Sequence, residues 1–270
     1  MENIPNRREL IDRKKLVLAI NDIAEKYSPN GIEFRGALLD HMKSVLADGE
    51  ETVKRRFLAT NKGRPAMYAR SFLIDQIIRT LYDTAVQHIY RLSNPTTEEK
   101  LSIVAVGGYG RGELAPYSDI DLLFMFPYKQ TSWCEQVVEF ILYMLWDLGL
   151  KVGHSTRNVN ECIRMAKSDI TIQTALLEAR HLWGDQDLFS EMRQKYFKEI
   201  VSGNSKAFIE SKLQERGERH ERFGNSRYVV EPNMKEGKGG LRDLHTLFWI
   251  AKFVHGTTEI SRLVELGVLT

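Results

Sequence analysis

The chain has 270 residues, with 38 Lys and Arg against 36 Asp and Glu. The resulting formal charge of +2 gives global electrostatics no reason to demand a nucleic-acid or anionic-membrane partner. With 43% hydrophobic residues it is long enough for one large core or two ordinary ones. Its two cysteines, Cys134 and Cys162, have neither metal-ligand spacing nor a disulfide framework, and no apolar stretch approaches the roughly 20 residues of a membrane helix. The N-terminus also lacks the apolar run of a signal peptide, so composition places the chain in the cytoplasm.

Leu10 to Lys26 reads as a first helix and the region around Phe34 to Leu58 as a second. Ala66 to Arg91 reads as a third, with Phe72, Ile74, Ile77, Ile78, Leu81 and Tyr82 at three- and four-residue steps. The breaker cluster Ser93-Asn94-Pro95-Thr96-Thr97 ends this helical arm, residues 1–95. A strand is then expected over Leu101 to Val106, and another over Ile120 to Phe126. Thr131 to Leu148 follows as a helix closed by Gly149, and Leu150 to His154 as a short strand. Helices at Asn160 to Ala166 and around Asp169 to Leu177 fall within the same expected core, residues 96–200. In the last segment, 201–270, the charged stretch Lys206 to Arg222 reads as a solvated helix. A glycine-rich loop at Glu236 to Gly240 then opens an apolar helix from Leu241 to about Val254.

The most informative pattern is Val106-Gly107-Gly108 followed by Ser118-Asp119-Ile120-Asp121-Leu122. Strand side chains alternate faces, which sets Asp119 and Asp121 on one side and turns Ile120 and Leu122 into the core. Two carboxylates on one face repel unless a cation joins them, and Mg²⁺ prefers a few carboxylate oxygens together with substrate phosphate. Gly107 and Gly108 would let backbone N–H groups approach those phosphates where a Cβ would obstruct, and Arg111 would add a charge-assisted contact. The chemistry this suits is nucleotidyl transfer, in which a hydroxyl displaces diphosphate from the α-phosphorus of a nucleoside triphosphate. Two cations about 3.5–4 Å apart stabilise the attacking and leaving oxygens of such a displacement.

A competing match, Gly110-Arg111-Gly112-Glu113-Leu114-Ala115, fits the dinucleotide fingerprint Gly-x-Gly-x-x-Gly/Ala. That fingerprint needs an acidic residue about 20 positions on, where this chain has Gln130 among polar and aromatic neighbours. A Rossmann dehydrogenase is therefore disfavoured, and no P-loop run supports an ATPase of that class.

The run Gly107-Gly108-Tyr109-Gly110-Arg111-Gly112-Glu113-Leu114, continuing at Pro116-Tyr117-Ser118-Asp119-Ile120-Asp121, resembles the N-terminal nucleotidyltransferase portion of the bacterial PII uridylyltransferase family, GlnD. Three further segments agree: Trp146 to Ser155, Ala175-Leu176-Leu177-Glu178-Ala179-Arg180, and Glu231 to His245. The likeness covers roughly residues 60 to 270. It implies an α+β fold, a polymerase-beta-like nucleotidyltransferase core with a small mixed sheet flanked by N-terminal and C-terminal helical segments. It further implies transfer of UMP from UTP to a tyrosine of the PII nitrogen-signalling protein, using Mg²⁺ or Mn²⁺ and releasing diphosphate.

By the same likeness Asp119 and Asp121 hold the metals and Glu178 is the third carboxylate, with Glu231 as its substitute. Lys235, Lys238, Gly239 and Gly240 precede the apolar helix, so backbone N–H groups and two ammonium groups would face the triphosphate or departing diphosphate. Arg242 and Asp243 are candidates to pair within that helix and fix the loop. Ser118, beside the metal pair, is a further nucleotide-binding candidate, His154 is a candidate to orient substrate, and the cysteines read as core residues. Members of the family are much longer, with an HD phosphohydrolase domain that removes UMP and ACT domains that sense glutamine. This chain contains no His-Asp dipeptide, so the expectation is a transferase piece or a natural truncation. Two alternatives stand beside the uridylyl enzyme: a catalytically silent nucleotide-binding or PII-docking module, and a related protein adenylyltransferase.

Overall fold

The computed structural model describes residues 4–94, 96–223, 231, 233–257 and 260–268. Their contacts divide the chain into two compact units. The first is Met1–Val159 with Ala179–Phe189, and the second is Asn160–Glu178 with Ser190–Thr270.

In the first unit the single helix expected from Leu10 to Lys26 is two, α1 (Arg7–Leu10) and α2 (Arg13–Lys26). The break has a local cause. The Asp12 carboxylate accepts from the N–H groups of Lys14 at 3.1 Å and Lys15 at 3.3 Å, capping α2 and holding its own backbone extended. Helix α3 (Ile32–Thr60) buries Phe34, Leu38 and Met42, and α4 (Gly63–Thr84) buries Leu73, Ile74, Ile77, Ile78 and Leu81. A π-helical turn, Ala85–Ile89, continues α4 close to the expected end at Arg91.

The sheet has four strands in the order β3-β2-β1-β4. Strand β1 (Ser102–Ala105) runs antiparallel to both β2 (Ile120–Phe126) and β4 (Arg180–Gly184), whereas β3 (Val152–Asn158) is parallel to β2. The parallel pair needs a crossover, and α6 (Ser132–Asp147), capped by the Thr131 hydroxyl on the Cys134 N–H at 3.3 Å, supplies it. Ile103, Ala105, Ile120, Leu122 and Phe124 face one continuous core with the buried residues of α3 and α4 and with Val137, Ile141 and Leu145 of α6. At about 25 cal/mol per Å² of apolar surface, this layer dominates the unit's stability and fixes the pleat of β2. A one-residue slip would turn its core residues outward.

β4 has no counterpart in the sequence expectation. Its five residues, Arg180-His181-Leu182-Trp183-Gly184, bury only Leu182 fully, and the strand exists because β1 pairs with it across about 80 intervening positions. Likewise β3 starts at Val152 and continues to Asn158, past the expected end at His154.

The second unit contains α7 (Val159–Ser168) from Asn160 onward and α8 (Ile170–Leu177), capped by Asp169 on the N–H groups of Thr171 and Ile172. It also holds the C-terminal part of α9 (Gln186–Tyr196), α10 (Ser205–Arg222), α11 (Leu241–Val254) and α12 (Ile260–Glu265). The expected bounds of α11 coincide with the observed ones. Helix α10 is not the solvated helix its charge suggests, because it buries Phe208, Lys212 and Arg219. Phe208 stacks on Phe253 of α11 with ring centroids 3.9 Å apart, and the Lys212 ammonium lies 4.9 Å from the Trp249 ring while bonding Glu215 at 2.7 Å. Burial lowers the Lys212 pKa, partly offset by Glu215. Among the described residues no helix is long and apolar enough to cross a membrane.

Candidate active site

β1 runs directly into α5 (Gly107–Gly110), a single helical turn. Gly107 takes φ +60, a left-handed conformation that side chains resist, and the Val106 N–H donates to the Asp121 carbonyl at 3.0 Å. The turn is thereby tied to the strand that carries the acid. Asp121 lies on the face of β2 opposite Ile120 and Leu122, and its register partner on β3 is Gly153. A Cβ on Gly107 would sit 3.0 Å from Asp121 Oδ2, and one on Gly153 would sit 2.8 Å from Oδ1. Two glycines from different elements thus clear both oxygens of one carboxylate. Asp119 is exposed and immediately precedes the strand rather than standing within it, and the turn before it is closed by the Ser118 N–H on the Ala115 carbonyl at 3.1 Å. Two carboxylates, one flanked by glycines, form a donor set that fits a hard divalent cation with oxygen ligands.

Beneath the glycine turn lies a buried network that sequence patterning missed. Asp75 of α4, with its side chain 1% exposed, accepts from the Tyr109 hydroxyl at 2.7 Å and from the Arg180 guanidinium at 2.7 and 3.1 Å. Arg180 also donates to the carbonyls of Tyr109 at 3.1 Å and Gly110 at 3.2 Å. Burial, and then the Asp75 charge, push the Tyr109 phenol well above its ordinary range, so it stays a donor. Burial works against the Arg180 charge, but Asp75 outweighs it and raises the pKa. Next along α4, the Ser71 hydroxyl donates to the Gly112 carbonyl at 2.6 Å and accepts from the Leu114 N–H at 3.1 Å. Arg70 donates to the Ala115 carbonyl at 2.8 Å while pairing with Glu50 at 2.7 Å. The segment from Tyr109 to Ala115, between the glycine turn and the two aspartates, is therefore fastened to one helix. The available signal was a polar triplet, Arg70, Ser71 and Asp75, set among the apolar positions Leu73, Ile74, Ile77 and Ile78 that α4 buries.

The remaining candidates fall in different places. Arg111 pairs with Glu113 at 2.9 Å, with one guanidinium nitrogen 3.7 Å from the Cβ position of Gly108. His154 is exposed and its ring packs 6.1 Å from that of Trp146. Glu178 belongs to the second unit, where its side chain is 1% exposed and forms a 3.0 Å ion pair with Lys252 of α11. Among the described residues no group of three His, Cys, Asp or Glu side chains is arranged to hold a metal. Glu231 is exposed.

The loop before α11 differs from the expected phosphate cradle because its N–H groups are used internally. Lys235 and Glu236 donate to the Asn233 side chain, and Gly239 donates to Asp243 at 2.8 Å. The N–H groups of Gly240, Leu241 and Arg242 go to carbonyls of Gly237, Met234 and Lys235. Lys235 and Lys238 of this loop are exposed. Arg242 and Asp243 do not pair with each other. Arg242 bonds Glu236 at 3.2 Å, and Asp243 is held by Arg219, by the Gly239 N–H and by His220 at 3.0 Å, each fixing the loop separately.

An antiparallel and parallel mixed sheet whose β1–turn–β2 unit presents Gly107, Gly108, Asp119 and Asp121 defines a nucleotidyltransferase domain, and the family model of that description matches residues 91–177. The model described as GlnD PII-uridylyltransferase matches residues 207–270. By sequence the chain corresponds to the N-terminal part of proteins of this GlnD kind. It is 51% identical, over 100% of its length, to a bifunctional uridylyltransferase/uridylyl-removing enzyme of Novosphingobium aromaticivorans, covering 29% of that protein. It is 52% identical over 97% of its length to the protein of the same description from Rhodospirillum rubrum, covering 28% of it. With that from Azospirillum brasilense the identity is 49% over 99% of the chain and 28% of the relative. The chain thus spans under a third of the length of the curated relatives it matches.

Proposed function

We propose that the chain transfers UMP from UTP to a tyrosine hydroxyl of the PII nitrogen-signalling protein, releasing diphosphate. The observation that carries this reading is the Asp121 carboxylate set between Gly107 and Gly153, neither of which places a Cβ against its oxygens. A structural acid needs no such clearance, whereas a metal ligand beside a triphosphate does. Asp119 and Asp121 would hold Mg²⁺ or Mn²⁺, which supplies charge stabilisation to the attacking and leaving oxygens of an in-line displacement. Gly107 and Gly108 head α5, and the first N–H groups of a helix have no intrahelical partner, so they are available to phosphate oxygens. Arg180 and Asp75 hold that turn in place before substrate arrives, which limits the reorganisation left for the transition state. Lys235 and Lys238 are assigned to charge neutralisation of the triphosphate or diphosphate. Because Glu178 already has Lys252 as its partner, the proposal rests on the two aspartates.

The test is to incubate the chain with PII, Mg²⁺ and each labelled nucleoside triphosphate, reading PII by mass. The expected result is a gain of one UMP group per modified subunit, with Asp119→Asn and Asp121→Asn each abolishing transfer while keeping the fold, since removing one of two like charges relieves repulsion. Near-normal turnover in either variant overturns the metal-binding role. Preference for ATP favours the adenylyltransferase reading, and nucleotide binding without any transfer favours the silent module.

A further inference from the structure

A cavity of about 780 Å³ opens in the first unit beside the metal pair, and the nucleotide chemistry does not use it. Its walls come from α3 (Val53, Phe57), from α4 (Ala66, Met67), from the loop ending at Ser118, and from Leu150 and Lys151 before β3. Ser118 is the neighbour of Asp119, and the Lys151 carbonyl accepts from the Ile120 N–H at 2.8 Å, so the cavity ends where the metal-bearing strand begins. At its rim Tyr117 holds φ +64 with its side chain 93% exposed. A non-glycine residue kept in the left-handed region, with its ring in solvent, spends conformational free energy that its own contacts do not repay, the pattern found at binding sites.

We infer that this cavity receives the acceptor, in the form of a protein loop presenting a phenol. The inference rests on the tyrosine-directed transfer proposed above. The walls are mainly apolar, and their acids are already paired within the lining, Glu50 with Arg70 at 2.7 Å and Glu51 with Lys54 at 3.6 Å, with Lys151 as a further cation at the edge, so among the described residues the cavity presents no cluster of cations converging on a triphosphate. The one guanidinium in the lining, that of Arg70, is engaged by Glu50 and by the Ala115 carbonyl. An uncharged aromatic side chain needs no charged partner from such walls and buries its ring against their apolar part. The volume lies in the range of preformed ligand sites and exceeds what one ring fills, which suits a tyrosine with the residues on either side of it. Tyr117 supplies a rim aromatic against which the entering loop packs edge-to-face. Phosphate is held on the glycine turn and phenol enters past Ser118, so the two substrates reach Asp119 and Asp121 from separate directions.

The experiment uses Met67→Trp, which fills the cavity, and Tyr117→Gly, which removes the phenol while relieving the left-handed strain, so a loss of affinity in that variant is not a folding defect. Acceptor affinity is read with fluorescently labelled PII by anisotropy and UTP affinity by calorimetry, neither of which requires turnover. In wild type carrying a photo-crosslinking phenylalanine analogue at position 57, crosslinks to PII are mapped by mass spectrometry. The expected result is a rise in the PII dissociation constant of about tenfold or more in each variant, with UTP affinity within about twofold of wild type and crosslinks on the tyrosine-bearing loop. Unchanged PII affinity in both variants, or loss of UTP affinity in place of PII affinity, overturns the assignment. If PII binds and crosslinks as stated while no nucleotide is transferred, the cavity assignment stands and the transferase reading fails.

Discussion

Arg180 and Asp75, 105 positions apart in sequence, form a bidentate ion pair directly under the glycine turn, with guanidinium–carboxylate distances of 2.7 and 3.1 Å. The same guanidinium binds two carbonyls of the turn, so one side chain joins β4, α4 and the backbone of the glycine turn. Breaking a buried pair leaves one charge uncompensated. Asp75→Asn is expected to destabilise the protein by roughly 3 kcal/mol in urea unfolding. Tyr109→Phe, which removes a single hydroxyl donor to Asp75, should cost about 1 kcal/mol. Both should weaken UTP binding more than PII binding, because the turn and not the cavity loses its support. Equal weakening of the two would mean that the network serves only the fold.

Gly153 offers a sharper probe because its only described role toward the site is to be absent as a side chain. Gly153→Ala places a methyl group 2.8 Å from Asp121 Oδ1, closer than a Cβ tolerates, and the carboxylate must turn aside. Strand β3 is exposed at that residue, so stability should change by less than about 1 kcal/mol. Turnover at limiting Mg²⁺ should fall about 10- to 100-fold and recover in part at high Mg²⁺, the signature of a displaced ligand. A variant with an unchanged Mg²⁺ requirement would remove Gly153 from the site.

What could be read in the sequence was local. Strand β2 and helix α11 have the expected bounds because each is set by its own apolar pattern and flanking residues, and the glycine turn with its two aspartates is legible because all its members lie within fifteen positions. What could not be read depends on distant partners. The five-residue β4 is stabilised by pairing with β1, and Asp75 looks like a helix-surface acid until Arg180 and Tyr109 meet it. The loop at Lys235 to Gly240 shows the converse failure. Its composition fits a phosphate cradle, but the Asn233 side chain takes the N–H groups of Lys235 and Glu236, Asp243 takes that of Gly239, and the carbonyls of Asn233 and Gly237 take those of Gly237 and Gly240. Composition reports which residues are able to bind an anion and says nothing of which are already engaged.

Glu178 and Lys252 sit within the second unit as a buried pair, with side-chain exposures of 1% and 5%. Glu178→Gln keeps a hydrogen-bonding group opposite Lys252 but deletes the charge, leaving a buried ammonium without its counterion. The melting temperature should drop, by an amount corresponding to roughly 2–4 kcal/mol. Transfer measured well below that temperature should fall far less than in Asp121→Asn. Loss as complete as that of the aspartate variants, with the fold intact by circular dichroism, would return Glu178 to the metal-binding set.

The tie between Lys100 and Asp185 has a pH window open to measurement. Their 2.9 Å ion pair joins the residue before Leu101, at the entry to β1, to the residue after β4, and the Asp185 N–H donates to the Leu101 carbonyl, also at 2.9 Å. Burial would raise the Asp185 pKa, but the Leu188 N–H and Lys100 together hold it below the ordinary carboxylate value. The hydrogen bond to Asp185, with its charge, raises that of Lys100. For the carboxylate, a depressed folded-state value means stabilisation present above its unfolded value and lost as pH falls through the folded one. For the lysine, an elevated folded-state value means stabilisation present below its unfolded value and lost as pH rises through the folded one. A double-mutant cycle of Lys100→Met and Asp185→Asn should therefore give a favourable coupling near neutral pH that shrinks in acid below about pH 4 and in alkali above about pH 10. Added salt should also weaken it, since the lysine side chain is exposed. Coupling that is flat across this range would show that the two side chains are held by the backbone bond alone, and that β4 keeps Arg180 in place without help from their charges.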